Sequence, residues 1–376
     1  MATFVLAPDS FKESMTALEA CEAMQRAILH LDPQANCVSV PMADGGEGTL
    51  DALLYACQGE KVACVVQGPL ASQTIHTYFA LIDDGQTALI EMAKANGIEL
   101  VAPQQRNPLL TSTYGTGQML LQALDLGVKK IILGLGGSIT NDGGSGLAQA
   151  LGVRFLDQHQ QPVHVCGGNL NQVHRIDMSQ RDARLKNIEI VIASDVTNPL
   201  YGENGASYIF GPQKGATPEM LACLDANLKH YATLVNDVIG SDFSHSLGAG
   251  AAGGLGFALM AFCGAIMQSG AELVIQQTDL SSKIQDADYV LTGEGKIDAQ
   301  THLGKTPFAV AKLAKHWNKP VIAFAGCVGD GIEDLYNQGF SHIIGINPED
   351  ISQAQALKNA RYYLEQATIA WLIQQN

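Results

Sequence analysis

Charge is scarce in this sequence, and basic charge is the scarcer kind. Charged residues make up 16% of the 376 positions, and 37 acidic residues outnumber 22 basic ones, so the net charge is −15. A chain this acidic presents no basic surface to nucleic acid or to anionic lipid. An anionic ligand would have to be attracted locally, by single lysines and helix N-termini, because the overall field opposes it.

Closely spaced metal-ligand pairs are missing as well. The eight cysteines form no C-x-x-C pair, which argues against a zinc site, and we interpret them as small buried side chains in a reducing compartment. No apolar run is long enough to cross a bilayer, and the first residues lack the basic segment of a signal peptide. The sequence therefore predicts a soluble cytoplasmic protein with no membrane partner.

Short apolar runs alternate with longer helical patterns along the chain. Residues 4–7 and 38–41 predict buried strands on either side of a helix at 15–31, and residues 289–374 repeat the same order. This alternation predicts βαβ units and a parallel sheet. Residues 60–100 contain strand-like runs at 62–67, 74–82 and 88–92, separated by turn residues, which predict antiparallel or mixed pairing. Residues 188–193 predict another buried strand.

The similar character of the two chain ends indicates how the domains are organised. A chain of 376 residues is long enough for two ordinary domains, each with its own core. We expect one discontinuous α/β domain formed by residues 1–70 and 285–376. Residues 71–284 are expected to form an inserted α/β domain.

Six short polar and glycine-rich segments punctuate the chain, and nearly all of them follow an apolar, strand-like run. They are residues 7–13, 43–49, 134–144, 193–199, 210–215 and 291–298. Ligands of open α/β folds bind outside the carboxyl ends of strands, so we expect these segments to line one cleft. Together they supply bare backbone amides, lysines and carboxylates, which are the groups that hold phosphate and metal.

The segment 134–144 is the strongest candidate for binding phosphate. Glycines let the backbone approach a ligand, and successive N–H groups can form an anion site. The spacing matches neither G-x-x-x-x-G-K-[ST] nor a clean G-x-G-x-x-G, and a tight strand-to-helix turn is the alternative. Polar residues inside the loop favour binding. The residues we expect around a bound phosphate are Gly136, Gly137, Ser138, Asn141 and Lys214.

Two carboxylates in the last segment suit a divalent cation. Glu294 and Asp298 follow a short predicted strand, with Lys296 between them. Mg²⁺ is commonly held by one or two carboxylates together with substrate phosphates. A solvated turn before the next helix is the alternative, and Lys305 beyond it is either a phosphate ligand or a surface charge.

Aspartates directly after buried strands are candidates for the general base. Asp195 and Asp44 both have this placement, where a carboxylate either caps a turn or accepts a proton. We favour Asp195, because Thr197 and Asn198 beside it could orient an acceptor hydroxyl. Lys12, near the start of the first helix, is a third candidate for the catalytic group, or else part of a solvated helix face.

In order and taken together, these segments resemble glycerate kinases of the type 1 family, bacterial enzymes of the glycerate 2-kinase kind. The resemblance covers essentially the whole chain, with no departure at a charged motif position. The matching segments are APDSFK (7–12), ADGGEG (43–48), RNP (106–108), TYGTG (113–117), GGS with TNDGG (136–144), DVTNPL (195–200), FGPQKGA (210–216), and TGEG with Asp298 (292–298).

The resemblance implies a fold and an activity. The fold would have two α/β domains, one discontinuous with a mostly parallel Rossmann/flavodoxin-like sheet and one inserted with a mixed sheet, with the active site in the cleft between them. The activity would be transfer of the γ-phosphoryl group of ATP to a hydroxyl of D-glycerate with Mg²⁺, typically giving 2-phosphoglycerate. Within the matching segments, the residues assigned to the substrate are Ser10, Arg106, Asn107, Thr197 and Asn198.

Two other functions remain open from the sequence. A nicotinamide-dependent dehydrogenase of a small hydroxy acid shares glycine-rich strand-to-helix turns, although residues 7–12 contain no glycine at the first turn. A non-catalytic sensor on the same fold would bind glycerate or nucleotide without turnover. Small-molecule substrates are the expected partners in the catalytic case, and a homodimer is an open expectation.

Overall fold

Strands and helices alternate along the chain, which a computed structural model describes at residues 1–46, 48–303 and 305–375. The strands are β1 (Thr3–Leu6), β2 (Asn36–Ser39), β3 (Glu60–Gln67), β4 (Thr74–Ile82), β5 (Thr87–Glu91), β6 (Lys130–Gly134), β7 (Arg154–Leu156), β8 (Arg175–Asp177), β9 (Glu189–Ala193), β10 (Ile266–Gln268), β11 (Tyr289–Ile297), β12 (Val321–Val328) and β13 (His342–Gly345). The helices are α1 (Ala17–Leu31), α2 (Thr49–Ala56), α3 (Ala93–Asn96), α4 (Tyr114–Asp125), α5 (Ser145–Ala150), α6 (Ala206–Phe210), α7 (Pro218–Ile239), α8 (Ala251–Cys263), α9 (Gly270–Gln277), α10 (Leu280–Gln285), α11 (Thr306–His316), α12 (Glu333–Asn337) and α13 (Gln353–Gln375).

The chain divides into two compact units. The first contains Met1–Asp44, Asp51–Gln58 and Gly270–Asn376, and the second contains Gly45–Leu50 and Gly59–Ser269. The sequence predicts one domain at 1–70 plus 285–376 and another at 71–284, and the boundaries of the compact units differ from these in two places. β3 lies in the second unit because it pairs with β4, and α9 and α10 lie in the first unit. How the functional domains divide stays a prediction, which limited proteolysis would test.

The first unit is built on a parallel sheet with the strand order β13-β12-β11-β1-β2. Helix α1 shows why the chain folds this way locally. Thr16 accepts a hydrogen bond from the Glu19 N–H, and the Glu19 carboxylate accepts one from the Thr16 N–H, which fixes the start of the helix. Met24 and Ile28 lie on its buried face and join the core beneath the sheet. Burying each of these side chains contributes about 1.5–3 kcal/mol.

The second unit is built on a mixed sheet with the order β10-β9-β6-β5-β4-β3. β3, β4 and β5 pair antiparallel, whereas β5, β6, β9 and β10 pair parallel. A separate antiparallel pair, β7 and β8, packs into the same core. The predicted α/β class, with one mostly parallel and one mixed sheet, is confirmed.

Strand β11 is longer than the sequence predicts. The prediction ends the strand at Leu291 and takes 292–298 as a loop, but the strand continues to Ile297 and Glu294 pairs with Ala325 of β12. A Cβ on Gly293 would lie 2.4 Å from the Phe324 carbonyl oxygen. The glycine is therefore needed for close approach between strands, not for a turn.

The described residues include no helix that is both long enough and apolar enough to cross a membrane.

Candidate functional site

In the first unit, the polar segments collect where the strand order changes direction. β1 lies between β2 and β11. From β1 the chain continues to β2 on one side, whereas β11, β12 and β13 follow one another on the other side. In open α/β sheets, ligands bind outside the carboxyl ends of the strands at such a switch point. Asp9 follows β1 and Glu294 lies in β11, so both are at this position.

The backbone on either side fixes Asp9. The Asp9 N–H donates to the Gly293 carbonyl at 2.8 Å, and the Met42 N–H donates to the Pro8 carbonyl at 2.9 Å. The Asp9 carboxylate accepts hydrogen bonds from the Thr306 hydroxyl and the Ser10 N–H, both at 2.6 Å. The pKa of Asp9 is raised from 3.8 to about 6, first by burial and second by the nearby charge of Asp44.

The predicted catalytic residues of this unit lie around Asp9. Asp44 is half-buried and acts electrostatically on Asp9, as does Lys12, whose positive charge favours the ionised carboxylate. Lys12 is exposed and lies in the turn before α1, which begins at Ala17, so it is not on the helix. Ser10, a predicted substrate ligand, is half-buried beside Asp9, while Glu47 of the 43–49 segment lies outside the described residues.

Glu294 is a buried carboxylate with one basic neighbour. Its Oε1 accepts from the Thr301 hydroxyl at 3.3 Å and lies 3.4 Å from Lys305 Nζ. Its side chain is 14% exposed. Burial raises the pKa of Glu294 from 4.5 to about 7, although Lys305 opposes this, and the charge of Asp9 adds to the rise.

Asp298, the other predicted metal ligand, is linked to Glu294 through Thr301. The Asp298 N–H donates to the Thr301 hydroxyl oxygen at 3.2 Å, and that hydroxyl in turn donates to Glu294. The Asp298 carboxylate forms an ion pair with Lys296 at 2.8 Å. The structure therefore places both predicted metal ligands around one threonine.

The donor chemistry of this cluster suits Mg²⁺. Within residues 1–46, 48–303 and 305–375, no three His, Cys, Asp or Glu side chains are grouped so as to hold a metal ion. Mg²⁺ does not need such a group, since it is often bound by one or two carboxylates with phosphate and water completing its shell. Burial is the main cause of the raised pKa values of Asp9 and Glu294, and a neighbouring carboxylate adds to each, so a bound cation would favour the ionised form of both groups.

In the second unit, the loop after β6 presents bare backbone. Gly137 has a φ of +72° and is exposed, and Gly136 is half-buried. Among the described residues, none accepts a hydrogen bond from either glycine N–H. These amides are therefore available to an anion, and their binding of phosphate stays a prediction.

Lys214 reaches this loop from the turn between α6 and α7. Its Nζ donates to the Ser138 hydroxyl at 2.8 Å and to the Thr140 carbonyl at 2.7 Å. The residue is 1% exposed, and burial lowers the pKa of Lys214 from 10.5 to about 7. An ammonium has three N–H donors and two are used here, so the structure brings Lys214, Ser138 and a spare donor together.

Asn141 has a different surrounding from the other predicted phosphate ligands. It is fully buried, and its Nδ2 donates to the Ser207 hydroxyl at 2.9 Å. Its Oδ1 is buried without a hydrogen-bond partner among the described residues. Gly253 and Gly254 pack against this loop, since a Cβ on Gly253 would lie 2.0 Å from the Thr140 carbonyl oxygen, and the other glycines at 248–256 pack closely against other backbone or side chains. Close packing accounts for that glycine run.

Arg106 and Asn107 lie beside the Lys214 turn. A Cβ on Gly215 would lie 2.5 Å from the Arg106 carbonyl oxygen, so the two segments are in direct contact. The Arg106 Nε donates to the Val101 carbonyl at 3.4 Å, and Asn107 Oδ1 accepts from the Leu109 N–H at 3.0 Å. Both side chains are half-buried.

Asp195 lies in the loop after β9, as predicted. It is exposed, and so is Thr197. The Ser194 hydroxyl accepts from the Val196 N–H at 3.3 Å, which shapes the turn, and Asn198 Nδ2 donates to the Asn204 carbonyl at 2.9 Å. Gly134 of β6 pairs with Ala193 of β9, so this loop and the glycine loop start from adjacent strand ends.

Sequence reasoning gives no individual role to three further carboxylates. Asp9 lies directly after β1, in the same placement that singled out Asp44 and Asp195, so the signal was present. Glu91 ends β5 and accepts from the Leu50 N–H at 2.9 Å. Asp142 is fully buried in the glycine loop. Only the fold shows that the last two are buried.

The fold and the two clusters define a class of protein. One cluster offers backbone amides and a buried lysine, and the other offers buried carboxylates at a sheet switch point. This combination is typical of an α/β enzyme that handles phosphate groups and a divalent cation.

Comparison with known proteins identifies the family. Residues 4–373 match the model of the glycerate kinase family. A glycerate kinase of Halalkalibacterium halodurans is 48% identical, covering 98% of this chain and 96% of that protein. A glycerate 2-kinase of Escherichia coli K12 is 47% identical, covering 91% of this chain and 90% of that protein.

A solved structure agrees with the sequence matches. The crystal structure of a protein provisionally assigned as glycerate kinase 2 from Salmonella typhimurium LT2 superimposes with a TM-score of 0.88. Its sequence is 43% identical, and the alignment covers 99% of this chain and 98% of that one. The chain belongs to the glycerate kinase family, which confirms the resemblance seen in its motifs.

Proposed function

We propose that this protein transfers the γ-phosphoryl group of ATP to a hydroxyl of D-glycerate in a Mg²⁺-dependent reaction that gives 2-phosphoglycerate. The observation that carries the proposal is the family match across residues 4–373, supported by relatives named glycerate kinase and glycerate 2-kinase. The geometry adds an anion site and a carboxylate cluster. Phosphoryl transfer depends on these groups, since it is mostly positioning and charge neutralisation.

The glycine loop and Lys214 are proposed to bind the phosphates of ATP. The N–H groups of Gly136, Gly137 and Ser138 and the spare donor of Lys214 would hold phosphate oxygens through charge-assisted hydrogen bonds. Asn141 would act from behind the loop, because its side chain is fully buried against Ser207.

Glu294 and Asp298 are proposed to hold Mg²⁺. Bound there, the cation would neutralise charge that develops on the transferring phosphoryl group. Thr301 orients both residues, and Lys305 keeps the Glu294 carboxylate in place. The proposal needs only one of the two carboxylates to bind the metal directly.

Asp195 is proposed to accept the proton of the attacking glycerate hydroxyl. It is exposed at the end of β9, where a ligand can reach it, with Thr197 and Asn198 on the same loop as substrate ligands. Asp44 is the second candidate for this general base, and Lys12 is the third residue that we propose as catalytic. Ser10, Arg106 and Asn107 complete the proposed substrate ligands, the arginine supplying a donor for the glycerate carboxylate.

A coupled assay of ADP release across small hydroxy acids tests the proposal. We expect Mg²⁺-dependent turnover with D-glycerate and much less with lactate or glycerol. Lactate lacks the second hydroxyl and glycerol lacks the carboxylate, and a site built to pair a polar group rejects analogues without it by up to about 10⁴-fold. Equal rates with glycerol would refute this acceptor assignment. NMR of the product would show which hydroxyl carries the phosphate.

Binding and absorbance measurements beside this assay separate the two alternatives, neither of which any observation favours. A sensor would bind glycerate or ATP in calorimetry but release no ADP. A dehydrogenase would bind a nicotinamide dinucleotide and change its absorbance in the presence of a hydroxy acid.

A homodimer and a cytoplasmic location are also part of the proposal. The eight cysteines are free thiols, which suits a reducing compartment where ATP is also supplied. Sedimentation equilibrium would decide the oligomeric state, and a mass equal to one chain would remove the dimer.

A further inference from the structure

Asp142 is a fully buried carboxylate to which the proposed reaction assigns no role. It lies in the glycine loop, four residues after Ser138, and is 0% exposed. A buried charge is expensive unless it is satisfied by hydrogen bonds or a counter-charge. Its presence in the middle of the proposed phosphate loop therefore needs an explanation.

Hydrogen bonds to Asp142 tie the loop to its surroundings. Oδ2 accepts from the Thr113 N–H at 2.8 Å, the Thr113 hydroxyl at 2.9 Å and the Gly146 N–H at 3.1 Å, and Oδ1 accepts from the Gly144 N–H at 3.1 Å. The Thr113 hydroxyl also accepts from the Leu147 N–H at 2.9 Å. All four donor groups favour the ionised carboxylate, and they oppose the effect of burial, which raises the pKa of Asp142.

Lys214 is the buried positive charge on the same loop. Its two acceptors, the Ser138 hydroxyl and the Thr140 carbonyl, come from the four residues that precede Asp142. The charge of Asp142 favours the protonated form of Lys214 against the effect of burial. Besides burial, the charge of Asp142 also raises the pKa of two other ionisable groups, Cys166 and Tyr231. Arg106 contacts the Lys214 turn through its backbone, next to Gly215.

We propose that Asp142 is a positioning residue that keeps Lys214 charged and directed at an anionic oxygen of a bound ligand. This inference rests on the proposed function for the existence of that ligand. The oxygen belongs either to a phosphate of ATP or to the carboxylate of glycerate, which share the chemistry that an ammonium recognises. Asp142 does not touch the ligand and acts through Lys214.

The consequence is a dependence of ligand affinity on pH. The pKa of Lys214 is about 7, so its ammonium is present below pH 7 and is lost as the pH rises. Removing the charge of Asp142 lowers this pKa further and moves the loss of affinity to lower pH. Each unit by which the pKa falls reduces the protonated fraction above pH 7 about tenfold.

The test compares Asp142→Asn with Thr113→Val. Asn keeps the shape and most of the acceptor capacity of Asp142 but removes the charge. Val at position 113 removes one hydrogen bond to the carboxylate and leaves the charge in place. Calorimetry at pH 6 and pH 8 measures the Kd of the β,γ-imido analogue of ATP and, separately, of D-glycerate.

For the ligand that Lys214 holds, we expect Asp142→Asn to raise Kd about tenfold at pH 8 and by much less near pH 6. Thr113→Val should lower thermal stability but keep the wild-type ratio of Kd between the two pH values. In a Lys214→Met background, Asp142→Asn should have little further effect on Kd, because the two residues act together.

Three results would overturn the inference. The first is an equal rise of Kd in Asp142→Asn at both pH values, the second is an equal rise with and without Lys214, and the third is the same pH effect from Thr113→Val. If Asp142→Asn does not fold, a wild-type affinity that stays constant between pH 6 and pH 8 for both ligands would also overturn it. Wild-type protein that binds neither ligand would contradict the proposed function as well.

Discussion

Replacing Glu294 with Gln is expected to stabilise the protein at pH 8 while leaving its stability near pH 4 almost unchanged. The side chain is 14% exposed, and burial raises its pKa from 4.5 to about 7. A group whose pKa is higher in the folded state stabilises the fold while it is protonated. That contribution is complete below pH 4.5 and is lost as the pH rises through 7.

The size of the effect follows from the difference between the two pKa values. They differ by about 2.5, and at about 1.4 kcal/mol per unit the wild type loses about 3 kcal/mol of its free energy of unfolding by pH 8. Glutamine cannot ionise, yet its oxygen can still accept from the Thr301 hydroxyl. We therefore expect the variant to exceed the wild type by about 1–3 kcal/mol at pH 8, and to need more Mg²⁺ for activity because one of the two proposed metal ligands is lost.

Tryptophan fluorescence during urea unfolding measures this difference in stability in the unit that contains Glu294. The two tryptophans, Trp317 and Trp371, both lie in the first unit with Glu294. Glu349→Gln, at an exposed position of the same unit, is the matched control and should change stability little at either pH. If Glu294→Gln is less stable than the wild type by the same amount at pH 5 and pH 8, Glu294 is a structural partner of Lys305 and not a strained metal ligand.

Three further substitutions, the last of them with a matched control, test other proposed site residues. Asp195→Asn should lower kcat by about 10² or more with ATP binding retained, whereas a change in the glycerate KM alone would make Asp195 an acceptor ligand and turn attention to Asp44. Asp298→Asn should lower kcat and raise the Mg²⁺ concentration needed for half-maximal rate, and a near-normal kcat at saturating Mg²⁺ would remove it from the site. Gly137→Ala and Gly127→Ala, with φ of +72° and +79°, should each cost about 1–2 kcal/mol of stability, but only the former should weaken ATP binding.

The sequence predicts elements whose signal is local. The hydrophobic pattern predicts β4 at 74–82 and a strand at 188–193, and the structure has β4 at Thr74–Ile82 and β9 at Glu189–Ala193. The alternation of strands and helices is enough to predict a parallel sheet, because each βαβ crossover is a local unit. The order of the strands is not local, so the switch point beside Asp9 is seen only in the structure.

Burial is the property of the candidate site that sequence reasoning cannot supply. Lys214 stands in a Gly-Pro turn and was as compatible with a surface charge as with a ligand, yet it is 1% exposed because the glycine loop covers it. Gly293 was interpreted as part of a turn, whereas the neighbouring strand requires it. In both cases the deciding contact comes from a residue more than 30 positions away.

The ionisable groups of the two clusters are held in costly states, and this cost is consistent with a role in binding. Asp9 and Glu294 have pKa values raised to about 6 and about 7, and burial lowers that of Lys214 to about 7. Near neutral pH a cation would favour the ionised carboxylates and an anion would favour the ammonium. Folding alone would be better served by apolar or uncharged side chains at these positions. Ionisable side chains at these positions are useful if a bound metal ion and a bound phosphate complete the charge balance, although they lower the stability of the unliganded protein.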